Sequence, residues 1–186
     1  MTLQHFLVPV DFSGETPAAV STAVELARKF SARLTLLHVV GPVLPPTGDF
    51  YLVAAMAPMT ATYSENLIEA ARQELNALVA RTLGGVPVDT VIKLGIPWHC
   101  IVDFAAEYPT DLVVMSNRGR SGLKDLWLGS VAGRVVQHAP CPVLVVRPRM
   151  GGSPPLSLTN HSKATQPNPK TKIKYYERDH ALESPT

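Results

Sequence analysis

Four stretches of the chain are apolar at nearly every position: Phe6-Leu7-Val8 with Val10, Leu34 to Val40, Leu112 to Met115, and Val143 to Val146. Unbroken apolar runs of this length suit strands covered on both faces, as in a parallel sheet. A fifth stretch, Val86 to Leu94, alternates through Val88, Thr90, Ile92 and Leu94, the pattern of a less buried strand near an edge. The intervening segments repeat at helical spacing instead. Ala19, Val20, Ala23, Val24, Leu26, Ala27 and Phe30 form one apolar stripe, introduced by Thr16 as cap and Pro17 at the first helical position. Leu67, Ala70, Ala71, Leu75, Leu78 and Val79 form another, within a helix expected over Tyr63–Leu83 and ended by Gly84-Gly85. Ile101, Val102, Phe104 and Ala105 form a third, opened by Gly95-Ile96-Pro97 and stopped at Pro109. Strand and helix alternate throughout, which predicts an α/β fold: an open five-stranded parallel sheet with helices on both faces.

Two regions depart from this rhythm. Gly41 to Thr62 carries Pro42, Pro45, Pro46 and Pro58 amid apolar residues, and reads as a long irregular connection, either a flap packed on the sheet edge or a lid over a ligand. Beyond Arg149 the apolar periodicity stops and Gly, Ser and Pro take over, so 1–148 is read as one domain and 149–186 as a disordered tail.

The chemistry is concentrated between the last two expected strands. Ser116-Asn117-Arg118-Gly119-Arg120-Ser121-Gly122 is small, polar and glycine-bearing, so its backbone can turn several N–H groups toward one point. Gly129-Ser130 then opens a short helix with Val131, Ala132, Val135 and Val136, with Ser130 where a cap belongs. A helix start offers unpaired N–H groups and partial positive charge, which together favour phosphate. Arg118, Arg120 and Lys124 add charge nearby, either reaching phosphate or facing solvent. Asp11, at the end of the first strand, is the carboxylate nearest to such a site, or else a cap for the helix that follows.

The spacing Ser116-x2-Gly119-x9-Gly129-Ser130, flanked by Asp111-Leu-Val-Val-Met and by His138-Ala-Pro-Cys-Pro-Val-Leu-Val-Val, resembles the Gly-x2-Gly-x9-Gly-Ser/Thr signature of the universal stress protein family, with Ser116 in place of the first glycine. The resemblance runs over roughly residues 1–148. It implies strand order 3-2-1-4-5, the adenine nucleotide alpha hydrolase-like arrangement, with ligands bound where the order reverses between strands one and four. It implies an ATP-binding member of the family, taking ATP with Mg²⁺ or Mn²⁺ held through the phosphates and acting as a nucleotide-responsive stress switch. Pro9, Asp11 and Val39 would line the adenosine end, and Met115 and Ser116 would border the ribose. Gly119, Gly129, Ser130 and Val131 would meet the phosphates. Bound ligand would order the loop from Arg118 to Leu128 and the Gly41–Thr62 segment. The resemblance further implies a homodimer joined through Val143–Val146. Two alternatives stand beside the switch: a ligand-free dimeric scaffold with a vestigial pocket, and a slow ATP-hydrolysing enzyme.

Composition narrows these classes. A net charge of +2 over 186 residues is too small to make nucleic acid or an acidic membrane the main partner. Cys100 and Cys141 have neither metal spacing nor a disulfide framework, and read as reduced thiols in a cytoplasmic protein. No apolar run reaches spanning length, and the first residues lack the pattern of a secretory signal. No Gly-x4-Gly-Lys-Ser/Thr, Gly-x-Gly-x2-Gly or Gly-x-Ser-x-Gly motif occurs. Neither His38 nor His138 has a carboxylate neighbour in sequence, so no general base is nominated and no catalytic residue assigned.

Overall fold

The computed structural model describes residues 3–41, 50–82, 84–119, 128–147 and 173–175. Chain order is β1 (His5–Pro9), α1 (Thr16–Phe30), β2 (Arg33–Val40), α2 (Phe50–Thr82), β3 (Val88–Leu94), α3 (Pro97–Glu107), β4 (Leu112–Ser116), α4 (Ser130–His138), β5 (Val143–Val146) and β6 (Ile173–Tyr175). All pairings are parallel, and the sheet reads β5-β4-β1-β2-β3-β6. The first five strands therefore stand in the expected order, 3-2-1-4-5. The sixth departs from the reading of 149–186 as a disordered tail: three of its residues pair alongside β3, Thr90 opposite Ile173 and Ile92 opposite Tyr175. A sheet edge offers unpaired backbone groups to any extended segment, so three residues can join it without an apolar pattern of their own.

Strand alternation sorts the core onto two faces. Phe6, Val8, Leu34, Leu36, Ile92 and Val114 pack with Val20, Val24, Leu75 and Leu78 from α1 and α2. Leu7, Leu37, Val91, Val113 and Met115 point the other way, onto Ile101 and Phe104 of α3 and Ala132 and Val135 of α4. Burial on both faces is what the continuous apolar runs require. Phe6, Leu7, Val8, Val113 and Val114 lose all exposure.

The long helix is the main correction. It begins at Phe50 rather than Tyr63, so the segment read as an irregular flap or lid is helical from there on, while 42–49 lie outside the described residues. Pro58 sits inside the helix. A proline there forfeits a backbone hydrogen bond and costs about 3 kcal/mol, against which stand the good helix formers Leu52, Ala54, Ala55, Met56, Ala57 and Met59. Two caps also shift by one residue. Glu15 rather than Thr16 is the N-cap of α1, with Pro17 in its first turn, and Gly129 rather than Ser130 is the N-cap of α4. Both cysteines are free, and desolvation raises the pKa of the half-buried Cys141 thiol.

At the amino end of the sheet, Asp111 ties β4 to β1: its Oδ2 accepts the Gln4 and His5 N–H groups at 2.8 and 2.9 Å. His5 is buried. Its Nδ1 lies against the Pro109 carbonyl, which can only accept, so Nδ1 carries the proton and Nε2 accepts from Thr35 Oγ1 at 2.7 Å. Desolvation, the largest influence, lowers its pKa below the ordinary 6.5. The unfolded chain then takes up this proton before the folded one does on acidification. The contribution of neutral His5 is fully present above pH 6.5 and is lost as pH falls through the folded-state pKa. Thermal unfolding followed from pH 7.5 downward should show a falling midpoint below about 6.5, and His5→Gln should flatten that part of the profile. An unchanged slope in the variant would show that another group controls it.

Candidate functional site

The strand order reverses at β1 and β4, so the loops leaving their carboxyl ends diverge and leave a crevice. From β1 the chain runs through Val10 and Asp11 to Phe12, whose φ of 58° is left-handed. That conformation is strained for a large side chain and forces the sharp turn into α1. The Phe12 ring lies 4.5 Å from the His38 ring, and His38 Nδ1 bonds the Val10 carbonyl at 2.8 Å. Asp11 is fixed by the same turn: its Oδ1 accepts the Ser13 N–H at 3.0 Å and the Thr16 hydroxyl at 2.9 Å. The capping contacts and the crevice-facing position thus belong to one carboxylate.

From β4, Ser116-Asn117-Arg118-Gly119 closes against two other segments. The Asn117 N–H donates to Val146 of β5, and its carbonyl accepts the Gly129 N–H, both at 2.9 Å. Arg118 is gripped at both peptide ends: its N–H donates to Glu15 Oε2 at 3.0 Å, and its carbonyl accepts the Ser116 hydroxyl at 2.9 Å. Serine in place of the signature's first glycine therefore has a local role, closing the loop on itself. The two glycines are needed for close approach rather than unusual φ. A Cβ at Gly119 would lie 2.6 Å from Asp11 Oδ2, and one at Gly129 would lie 2.9 Å from the Asn117 carbonyl oxygen.

Bringing Gly129 onto Asn117 sets the start of α4 beside the carboxyl end of β4. Gly129, the N-cap, has no side chain to cap the helix. The first-turn N–H groups of an α-helix have no intrahelical acceptor, and here they belong to Ser130, Val131 and Ala132, which line a cavity of about 380 Å³. Pro9, Asp11, Val39, Met115, Ser116, Gly119, Gly129, Ser130 and Val131, the residues expected from the sequence, all stand on the wall of this one cavity. Arg118 lines it too, whereas Arg120 and Lys124 lie outside the described residues, as does most of the loop they occupy.

The sequence reading missed several wall residues. Leu37, His38 and Gly41 come from β2 and the turn after it, and Pro97 and Ile101 from the start of α3. Leu37 and Ile101 were legible only as core positions. Asn117 had no distinguishing signal at all, yet it is 97% buried (3% exposed) and its Oδ1 has no hydrogen-bond partner among the described residues. A buried acceptor without a partner is costly, and such an atom in a cavity wall calls for a donor from a ligand or an ordered water. Trp98 and His138, by contrast, are not on the cavity wall; their rings meet at 5.2 Å, tilted by 43°, between α3 and α4.

The wall divides by chemistry. Val39, Ile101 and Met115 offer an apolar surface suited to a flat heterocycle, while Asp11, the Ser116–Gly119 turn and the α4 start offer an acceptor and a row of N–H donors. This combination fits a nucleotide: ring on the apolar part, hydroxyls on the carboxylate, phosphate on the helix N-terminus. Among the described residues no group of three or more His, Cys, Asp or Glu could hold a metal ion. None of the described helices is long and apolar enough to cross a membrane.

Comparison with known proteins bears on the family and the fold. The model of the universal stress protein family matches residues 2–147. A universal stress protein of Methanocaldococcus jannaschii is 32% identical over 148 residues, covering 77% of this chain and 82% of its own. The structure of the universal stress protein UspA from Lactobacillus plantarum superposes with a TM-score of 0.63 at 34% identity, over 79% of this chain and 99% of that one. A universal stress protein solved in complex with cAMP superposes with a TM-score of 0.50 at 25% identity, over 78% and 98%.

Proposed function

The chain belongs to the universal stress protein family, and from that premise we propose that it binds an adenine nucleotide, ATP with Mg²⁺ or Mn²⁺, in the cavity between β1 and β4 and acts through that binding. The observation that carries this reading is the start of α4: Gly129 leaves the helix without a side-chain cap, and its first turn lines a cavity with Asp11 opposite and an unsatisfied Asn117 Oδ1 in the wall. A related protein of the same fold was solved with cAMP, which supports adenine as the base. Val39, Ile101 and Met115 would contact the ring, Asp11 and Ser116 the ribose, and Gly119, Gly129, Ser130 and Val131 the phosphates. The cation would supply charge neutralisation at the phosphates. Ligand bound to one conformation stabilises it over the others, and a partner that reads that conformation completes a switch. Calorimetric titration with ATP and Mg²⁺ tests the proposal. Micromolar to millimolar binding supports it, and the absence of both heat and a thermal shift at millimolar ATP would refute it.

A second reading, a ligand-free scaffold, is favoured by one specific observation. Gly129 is already required by backbone atoms, the Asn117 carbonyl oxygen above all, and a Cβ at Gly119 would press on the Asp11 carboxylate, so their presence does not by itself demand phosphate. The same titration separates the two.

The homodimer belongs with either reading. Within the described residues β5 pairs only with β4, and Leu144 on it is 37% exposed, so the strand presents an open edge with an apolar residue at its centre. Wild-type protein at micromolar concentration should sediment as a dimer and Leu144→Lys as a monomer. A monomeric wild type would remove the dimer from the account.

A further inference from the structure

We propose that Glu15 is a positioning residue that sets how much phosphate charge the cavity accepts: by holding the Arg118 N–H it stands as a fixed anion behind the Ser116–Gly119 turn, so that a polyphosphate binds more weakly than a monophosphate ester unless a divalent cation accompanies it. This rests on the nucleotide reading above and deepens it.

The argument starts from what a glycine-bearing turn at such a site ordinarily offers: backbone N–H groups converging on an anion. Here one of those donors is already taken. Glu15, the N-cap of α1, spans 103 positions in sequence to accept the Arg118 N–H at 3.0 Å. Charge-assisted bonds of this type are the strong ones. The Ser116 hydroxyl holds the other side of the same residue, at the Arg118 carbonyl. Gly129 closes the third side, since even a Cβ there would come within 3.4 Å of the Arg118 Cα. The turn is therefore held from α1, from β4 and from the start of α4.

Two consequences follow for a phosphate on the α4 start. The turn offers it one donor fewer than its glycines suggest. The phosphate would also lie near two carboxylates carried by one loop: Asp11, on the cavity wall, and Glu15, which is not on the wall but holds the Arg118 N–H of a wall residue. A single phosphate is offset in part by the helix N-terminus and by Arg118, the cation on the cavity wall. Each further phosphate charge meets that acidic pair unless a cation comes with it. Asp11 itself is needed at the ribose in the proposed pose, which leaves Glu15 as the residue whose charge tunes the phosphate end without contacting the nucleoside.

The test compares adenosine, AMP and ATP by calorimetry, with EDTA or with Mg²⁺, on wild type, Glu15→Gln and Glu15→Ala. In EDTA the wild type should bind ATP about tenfold more weakly than AMP, the size of effect one partly screened charge produces. Mg²⁺ should close that gap. Glu15→Gln keeps an oxygen for the Arg118 N–H and removes the charge, so the ratio of ATP to adenosine affinity in EDTA should rise about tenfold and the Mg²⁺ dependence should shrink. Glu15→Ala removes the oxygen as well, and amide exchange at Arg118 should be faster in it than in either of the others. An ATP-to-adenosine ratio and Mg²⁺ dependence unchanged in Glu15→Gln would overturn the proposal while leaving nucleotide binding intact. A wild type that binds neither adenosine nor its phosphates would overturn the nucleotide reading, and the charge filter with it.

Discussion

Gly129→Ala should both destabilise the protein and abolish nucleotide binding, whereas Gly133→Ala, one turn along the same helix, should do neither. The added methyl at 129 would sit 2.9 Å from the Asn117 carbonyl oxygen and 3.4 Å from the Arg118 Cα, both backbone atoms with no rotamer to change. Relief requires the start of α4 to move away from the end of β4, breaking the Gly129 N–H bond to Asn117. Forcing a group into a closed contact of this kind costs about 1–3 kcal/mol, and for a chain of this size each kcal/mol lowers the unfolding midpoint by roughly 2–4 °C. The same displacement takes the Ser130 and Val131 N–H groups out of register with the Ser116–Gly119 turn, so affinity for ATP should fall by more than about tenfold, the loss of one good charge-assisted bond. Gly133 differs because its Cβ would meet only Leu128 Cδ2 at 3.7 Å, an ordinary contact. Alanine there should stabilise the helix by about 0.5–1 kcal/mol and leave binding alone. Equal behaviour of the two variants in thermal melts and titrations would show that the approach of α4 to β4 is not what builds the site.

Asp11 should separate structure from ligand binding by the choice of substitution. Its Oδ1 accepts the Ser13 N–H and the Thr16 hydroxyl, contacts that hold the strained turn at Phe12. Asp11→Ala leaves both donors without that acceptor and should cost about 1–3 kcal/mol together with all measurable nucleotide binding. Asp11→Asn keeps an oxygen for the same donors and should melt within about 1 kcal/mol of wild type, the scale of one hydrogen bond exchanged for a weaker one. It should still lose at least about tenfold in affinity, because the charged acceptor offered to the ribose hydroxyls or to the cation is gone. If Asp11→Asn binds ATP as the wild type does, the carboxylate serves only the turn.

Much of the fold was legible because burial leaves a pattern. The continuous apolar runs of β1, β2, β4 and β5 can be satisfied only by a sheet covered on both faces, and the helical stripes between them supply that cover. Once the sheet is parallel with its order reversed between β1 and β4, Asp11 and the Ser116–Gly119 turn must emerge side by side. What stayed hidden depends on contacts that local sequence does not encode. The prolines of Gly41–Thr62 suggested an irregular connection where the surrounding residues sustain a helix from Phe50. Ile173–Tyr175, paired with β3, is too short to show a period. Glu15 reads as one polar residue in a turn until the fold sets it under Arg118, and Asn117 reads as loop until its side chain proves buried. Glycine is the instructive case. Its spacing pointed to what the structure shows as one cavity wall, and the structure supplies a reason for it apart from any ligand: Asp11 and the Asn117 carbonyl stand where a side chain would go.

The central claim is that the start of α4 and the turn after β4 together hold the phosphates of an adenine nucleotide. Backbone amide chemical shifts of ¹⁵N-labelled protein, recorded as ATP and Mg²⁺ are added, report on that claim most directly. The account predicts saturable shifts concentrated at Gly119, Gly129, Ser130 and Val131, with Asn117 and Val39 following and the β3–β6 edge unmoved. Shifts confined to other surfaces, or none at millimolar nucleotide, would contradict it.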